Sequence, residues 1–262
     1  MSASDTSSII AQPRLFTTVN WLKYASPQNF YPIAGKVIPL FLATAFILSA
    51  IGLYIGFFIA PTDHQQGDAY RIIFVHVPAA WLSMFIYLVM AFWAGLGLIL
   101  NTRLSSMMAR ALAPTGAIFT FLALWTGALW GRPTWGTWWV WDARLTSELI
   151  LLFLYIGFMS LQAAIDDTRR ADKAGAVLAL VGVINVPVIY FSVQWWNTLH
   201  QGASISIRSA PTMATTMLLA MLITALGLWA YAIAASLLRL RCIILERERH
   251  TEWVASLREL KS

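Results

Sequence analysis

The sequence predicts an all-α polytopic membrane protein with six transmembrane helices and both termini on the inner side. Three observations predict it. Of 262 residues, 59% are apolar and only 11% are charged, where a soluble domain carries about 25% charged. The apolar residues fall into six continuous runs, each near the roughly 20 residues that cross about 30 Å of hydrocarbon as helix. Lys and Arg concentrate between alternate runs, which is a topology signal.

The six runs are Val37–Ala60, Val77–Leu100, Ala113–Gly131, Ser147–Ile165, Ala174–Trp196 and Met213–Leu238. None contains Lys, Arg or Asp, and Glu148 sits at the very edge of the fourth. Only helices satisfy their own backbone over such lengths in lipid, barring a closed barrel. The runs do not alternate, so a barrel is disfavoured. Residues 1–36 read as a cytoplasmic N-terminal segment, residues 37–240 as one membrane domain, and residues 241–262 as a charged cytoplasmic tail. The tail reads first as a solvated helix, with a docking surface for a cytoplasmic partner as the other reading. No cleavable signal peptide is evident, because the first long apolar run lies deep, behind Pro13, Pro27 and Pro32.

The net charge is +6, but the basic residues are scattered between apolar runs, so nucleic acid is not the expected partner; membrane lipid is. With the N-terminus inside, 14 Lys and Arg fall on the inner side and only Arg71, Arg132, Arg144 and Arg208 on the outer. The outer side then receives Pro61–His76, Arg132–Thr146 and Asn197–Thr212. Cys242 is the single cysteine, which excludes a disulfide framework and a CxxCH haem-attachment motif.

The polar and aromatic residues that carry chemistry gather in those outer loops. His76 precedes Val77-Pro78, and proline suits the first turn of a helix, so His76 stands where the second span begins. His200 follows the fifth span in Trp195-Trp196-Asn197-Thr198-Leu199-His200-Gln201-Gly202, where Gly202 reads as a helix cap. Two imidazoles at one depth on different helices could clamp a metal; each alone could equally be an interfacial polar group. His64 reads as a loop residue and is assigned no role. Trp130, Trp135, Trp138, Trp139 and Trp141 fall within thirteen residues. Interfacial anchoring explains one or two tryptophans per loop, so the cluster reads as a flat apolar platform suited to a porphyrin. Gly131, Pro133 and Gly136 are expected to break helix there. Arg132 and Arg144 flank the platform as candidates to hold propionates, or to pair with Asp142 or Glu148. Asp142 reads either as the cap of the next helix, in competition with Thr146 and Ser147, or as a site residue. Asn185 and Pro187 read as a kink with Asn185 bonded to freed backbone, or as a cavity lining, and Gln194 shares that ambiguity.

Trp135-Gly136-Thr137-Trp138-Trp139-Val140-Trp141-Asp142, continued by Ala143-Arg144-Leu145-Thr146-Ser147-Glu148-Leu149, resembles the WWD signature of haem-handling proteins. Tyr70-Arg71-Ile72-Ile73 leading into His76-Val77-Pro78-Ala79-Ala80, and the segment around His200, resemble that family's histidine segments. Size and six spans resemble its CcmC branch, haem exporter protein C of system I cytochrome c maturation. The resemblance covers roughly Lys36 to Leu240. The loop Ala203–Thr212 looks short for the family.

The resemblance implies that His76 and His200 are the axial ligands of haem iron and that the WWD loop, about residues 130–146, cradles the ring. It implies haem b as a bound cargo, not covalently attached, on the periplasmic face of the bacterial inner membrane. It implies partners: the haem chaperone CcmE, the ABC transporter subunits CcmA and CcmB, and the small membrane protein CcmD. Nothing in the sequence resembles a phosphate-binding loop, so ATP hydrolysis is expected in a partner and the chain is expected to be no enzyme. The rival is a haem lyase attaching haem to apocytochrome c, which six spans and the lack of further histidines disfavour. A small-solute carrier is disfavoured by the scarcity of mid-span polar residues.

Overall fold

A computed structural model describes residues 21–200 and 211–259. Eight α-helices are present among them: α1 Pro27–Tyr54, α2 Ile73–Leu100, α3 Arg103–Trp135, α4 Ala143–Ala164, α5 Thr168–Gly182, α6 Asn185–Trp195, α7 Thr215–Arg247 and α8 Glu252–Glu259. The described residues contain no named strand. Six helical stretches are long and apolar enough to span a bilayer, with α5 and α6 together making the fifth. The six expected spans are therefore present, and the chain is a multi-pass membrane protein.

The boundaries move for identifiable reasons. α1 starts at Pro27, ahead of the apolar run, because Ser26 caps it and proline fits its first turn. It ends in a π-helical turn, Ile55–Ile59. Arg71 braces that turn by donating to the Gly56 carbonyl at 2.7 Å and the Ala60 carbonyl at 3.1 Å. The tail is not simply solvated: α7 runs on to Arg247, and the chain then turns so that Trp253 of α8 packs on Tyr31 of α1. Val254 is buried there.

The fifth span is interrupted between Gly182 and Asn185, ahead of Pro187, as the kink reading expects. Asn185 differs from expectation in one respect. It donates not to its own helix but to the Ser147 carbonyl of α4 at 2.9 Å, so it ties the break to its neighbour.

The core runs through α2, α3, α4 and the α5–α6 pair, with Tyr87, Met90, Leu151, Tyr155 and Ile189 fully buried. α1 is peripheral: only 17% of its most apolar stretch is buried, against 50% for α2 and α7. It lies along α7, where a methyl group at Gly52 would overlap Thr224 and one at Gly227 would overlap Ser49. Close approach of small residues is what packs helices in lipid, where tails compete with any apolar side chain. At the end of the bundle away from His76 and His200, Arg247 pairs both terminal nitrogens with Asp172 at 2.8 Å. Arg103 reaches Glu248 at 3.2 Å.

Candidate haem-binding cavity

α3 does not stop where the glycine and proline content suggests. It continues through Gly131 and Pro133 to Trp135 and ends at Gly136, whose φ of +77° is the left-handed cap geometry that glycine accepts without strain. The expected break fails for a physical reason. A proline near a helix C-terminus forfeits a single backbone bond, and side chains repair the last turn. Thr134 donates its hydroxyl to the Trp130 carbonyl at 2.7 Å, and Arg132 donates to the Gly136 carbonyl. Trp130 and Trp135 are thus borne on a rigid helix, and only residues 136–142 form the loop.

Asp142 caps α4, its carboxylate accepting from the Leu145 amide at 2.8 Å. Ser147 spends its hydroxyl on the Ala143 carbonyl at 2.6 Å, and the cap falls to Asp142 rather than to Thr146 or Ser147.

His76 lies in the first turns of α2, and His200 follows α6. Their rings come together, with centroids 6.5 Å apart and planes inclined by 34°. Each stands against one tryptophan: His76 against Trp130 at 5.5 Å and His200 against Trp135 at 5.0 Å. The rings line a cavity of about 460 Å³, within the usual span of small-molecule sites. Gly127 makes room for His76, since a Cβ there would stand 3.1 Å from the imidazole Cε1.

The hydrogen bonds favour one His76 tautomer. Its Nδ1 lies 3.0 Å from the Thr126 hydroxyl oxygen, and that hydroxyl gives its own hydrogen to the Leu122 carbonyl at 2.6 Å. Thr126 can therefore only accept. Nδ1 is then the hydrogen-bearing nitrogen, and in the neutral ring Nε2 keeps its lone pair. Burial, and after it the Arg144 guanidinium, pushes the His200 imidazole down from its ordinary 6.5 to about 4. It is neutral at physiological pH, as a metal ligand must be.

Of the residues the sequence marks out, the cavity gathers His76, His200, Trp130, Trp135 and Arg144. Arg144 also donates to the Ile189 carbonyl at 2.7 Å. Arg132 is exposed and turned back on its own helix end, and Trp138, Trp139 and Trp141 do not line the cavity. Trp138 and Trp141 face outward, 55% and 76% exposed. Gln194 takes its cavity-lining alternative and Asn185 does not. Gly202, Arg208 and most of the loop Ala203–Thr212 lie outside the described residues.

Sequence reasoning passed over three contributors. Gln66 accepts from the Trp130 indole at 2.7 Å, Tyr70 packs edge-on against Trp130, and Thr126 orients His76. The α3 stripe Thr126–Trp130–Thr134 repeats every four residues, which is a helical-face signal.

The fold and cavity define a class: a six-span helical membrane protein with an imidazole pair and indoles at one end of the bundle. Comparison with known proteins gives the family. The family described as Heme exporter protein C matches residues 20–255. Escherichia coli (strain K12) Heme exporter protein C is 46% identical over 233 residues, covering 89% of this chain and 94% of that protein. The Bradyrhizobium diazoefficiens protein of the same name is 49% identical over 224 residues, covering 85% and 84%. The Haemophilus influenzae one is 44% identical over 238 residues, covering 90% and 97%. The chain belongs to the CcmC, or Heme exporter protein C, family, consistent with haem handling in cytochrome c biogenesis.

Proposed function

We propose that the chain binds haem b non-covalently in this cavity, at the periplasmic face of the bacterial inner membrane, and presents it to the haem chaperone CcmE. The observation that carries the reading is the imidazole pair. Two rings that share one iron, each with Fe–N near 2 Å and a centroid about 1.1 Å behind the nitrogen, have centroids about 6 Å apart. The observed separation is 6.5 Å, and the residues fit the group.

His76 and His200 are the axial ligands in this reading. Trp130 and Trp135 pack beside them and exclude water, and Arg144 holds a propionate through its paired donors. Trp138 and Trp141, exposed on the loop beyond, serve the encounter with the partner rather than the ring itself, while Trp139 and Asp142 support the loop. Arg144 is favoured over Arg132 as the propionate contact, because Arg132 turns its guanidinium onto its own helix end. The chain acts in a membrane complex with the ABC transporter subunits CcmA and CcmB and with CcmD, and ATP hydrolysis belongs to a partner.

Purified protein titrated with ferric haem should give a six-coordinate low-spin spectrum that is lost in the double variant His76→Ala, His200→Ala. An unchanged axial spectrum in that variant overturns the ligand assignment. Reporter fusions that place the loop 136–142 in the cytoplasm overturn the presentation to a periplasmic chaperone.

A further inference from the structure

Asp142 uses only one of its two carboxylate oxygens as a helix cap. Oδ1 accepts from the Leu145 amide, while Oδ2 is buried with no hydrogen-bond partner. The His200 Nδ1 is likewise buried and unpartnered, and the two orphaned atoms face each other at 4.0 Å. Both side chains are largely covered, at 9% and 15% exposure. A buried polar atom left unpaired is costly, and native structures rarely leave two side by side. A shift of about 1 Å closes the gap to an ordinary hydrogen bond. The carboxylate can only accept, so closure requires the hydrogen on Nδ1.

We propose that Asp142 is the positioning residue of His200, holding its hydrogen on Nδ1 so that Nε2 is the free donor on the cavity side. The inference rests on the haem-binding reading and adds an asymmetry to it. His76 is backed by the neutral hydroxyl of Thr126 and His200 by a carboxylate. A carboxylate behind an imidazole raises its basicity as a ligand. His200 is therefore the stronger axial donor and His76 the weaker one.

The test separates the two jobs of Asp142. Asp142→Asn keeps a good helix cap and removes the charge; Asp142→Glu keeps the charge and caps poorly; Asp142→Ser is a second uncharged cap. Each full-length variant is titrated with ferric haem in detergent, and its reduction midpoint is measured. Asp142→Asn and Asp142→Ser should bind haem about 10- to 100-fold more weakly, the usual effect of removing such an outer partner. Their midpoints should rise, because the oxidised iron loses the stronger donor. Asp142→Glu should retain most of the affinity.

Ring ¹⁵N shifts of His200 without haem should report Nδ1–H in the wild type and a tautomer mixture in Asp142→Asn. Wild-type affinity, midpoint and ring shifts in Asp142→Asn overturn the proposal. So does impairment of Asp142→Glu alone, the signature of a cap and nothing more. Failure of the haem reading looks different: His200→Ala would then keep the wild-type axial spectrum.

Discussion

Thr126→Val is nearly isosteric and removes one acceptor. In the wild type the Thr126 oxygen receives the His76 Nδ1 hydrogen at 3.0 Å. In the variant that hydrogen loses its hydroxyl acceptor and is left with the Ala123 backbone. Leaving a buried donor unpaired costs about 1–3 kcal/mol. Without haem the ring escapes most of this by moving its hydrogen to Nε2, which lies on the cavity side. Haem ligation closes that escape, since Nε2 must then be bare. The penalty therefore falls on haem affinity, while the stability of the empty protein changes little. At about 1.4 kcal/mol per tenfold, the expected loss is about 5- to 150-fold. Absorption-monitored titration measures it, with thermal unfolding of the empty protein as the control. Thr126→Ser should restore binding because it keeps the hydroxyl. If Thr126→Val binds as the wild type does while Thr126→Ser is the weaker of the two, the tautomer argument is wrong.

Three further outcomes follow from the same geometry. Gly127→Ala puts a methyl 3.1 Å from the His76 Cε1; the ring must give by a few tenths of an ångström, so axial ligation should weaken with the fold intact, and an unchanged axial spectrum and haem affinity refute the tight fit. Ser83 donates to the buried Glu148 carboxylate at 2.7 Å and its carbonyl accepts from Tyr155 at 2.8 Å; Ser83→Ala strips the carboxylate of that donor and should cost about 1–3 kcal/mol, read as a lowered unfolding temperature, whereas Tyr155→Phe should cost about 1 kcal/mol. Unfolded, His200 takes a proton near pH 6.5; folded, only near pH 4. Between the two the unfolded chain binds more protons, so acidification through that window drains stability by roughly 3 kcal/mol at most. His200→Gln should flatten this part of the pH profile of the empty protein, and an identical profile in both proteins refutes the shift.

The six spans were legible because bilayer thickness writes itself into sequence directly, and the meeting of His76 and His200 because each stands at an end of a span. Helix ends were not. Pro27 opens α1 and Trp135 closes α3 through capping and through Thr134 and Arg132 repairing a turn, which are tertiary-scale details of a few atoms. The tryptophan cluster was legible as a feature but not as a surface. Five indoles within thirteen residues cannot show that two ride a helix into the cavity while Trp138 and Trp141 face away. Asn185 looked like a local repair for a kink, and only packing reveals that its partner is the Ser147 carbonyl. Thr126 was invisible because a hydroxyl within an apolar span usually bonds its own helix, as this one also does.

α3 carries Thr126, Gly127, Trp130 and Trp135 on one continuous rod of 33 residues. A residue inserted or deleted within that rod would turn everything beyond it by about 100°. The acceptor behind His76, the space for its ring and the indole beside it would leave the cavity together. The loop 136–142 faces no such rule. A change of length is thus absorbed far more easily in the loop between Gly136 and Asp142 than anywhere along that rod.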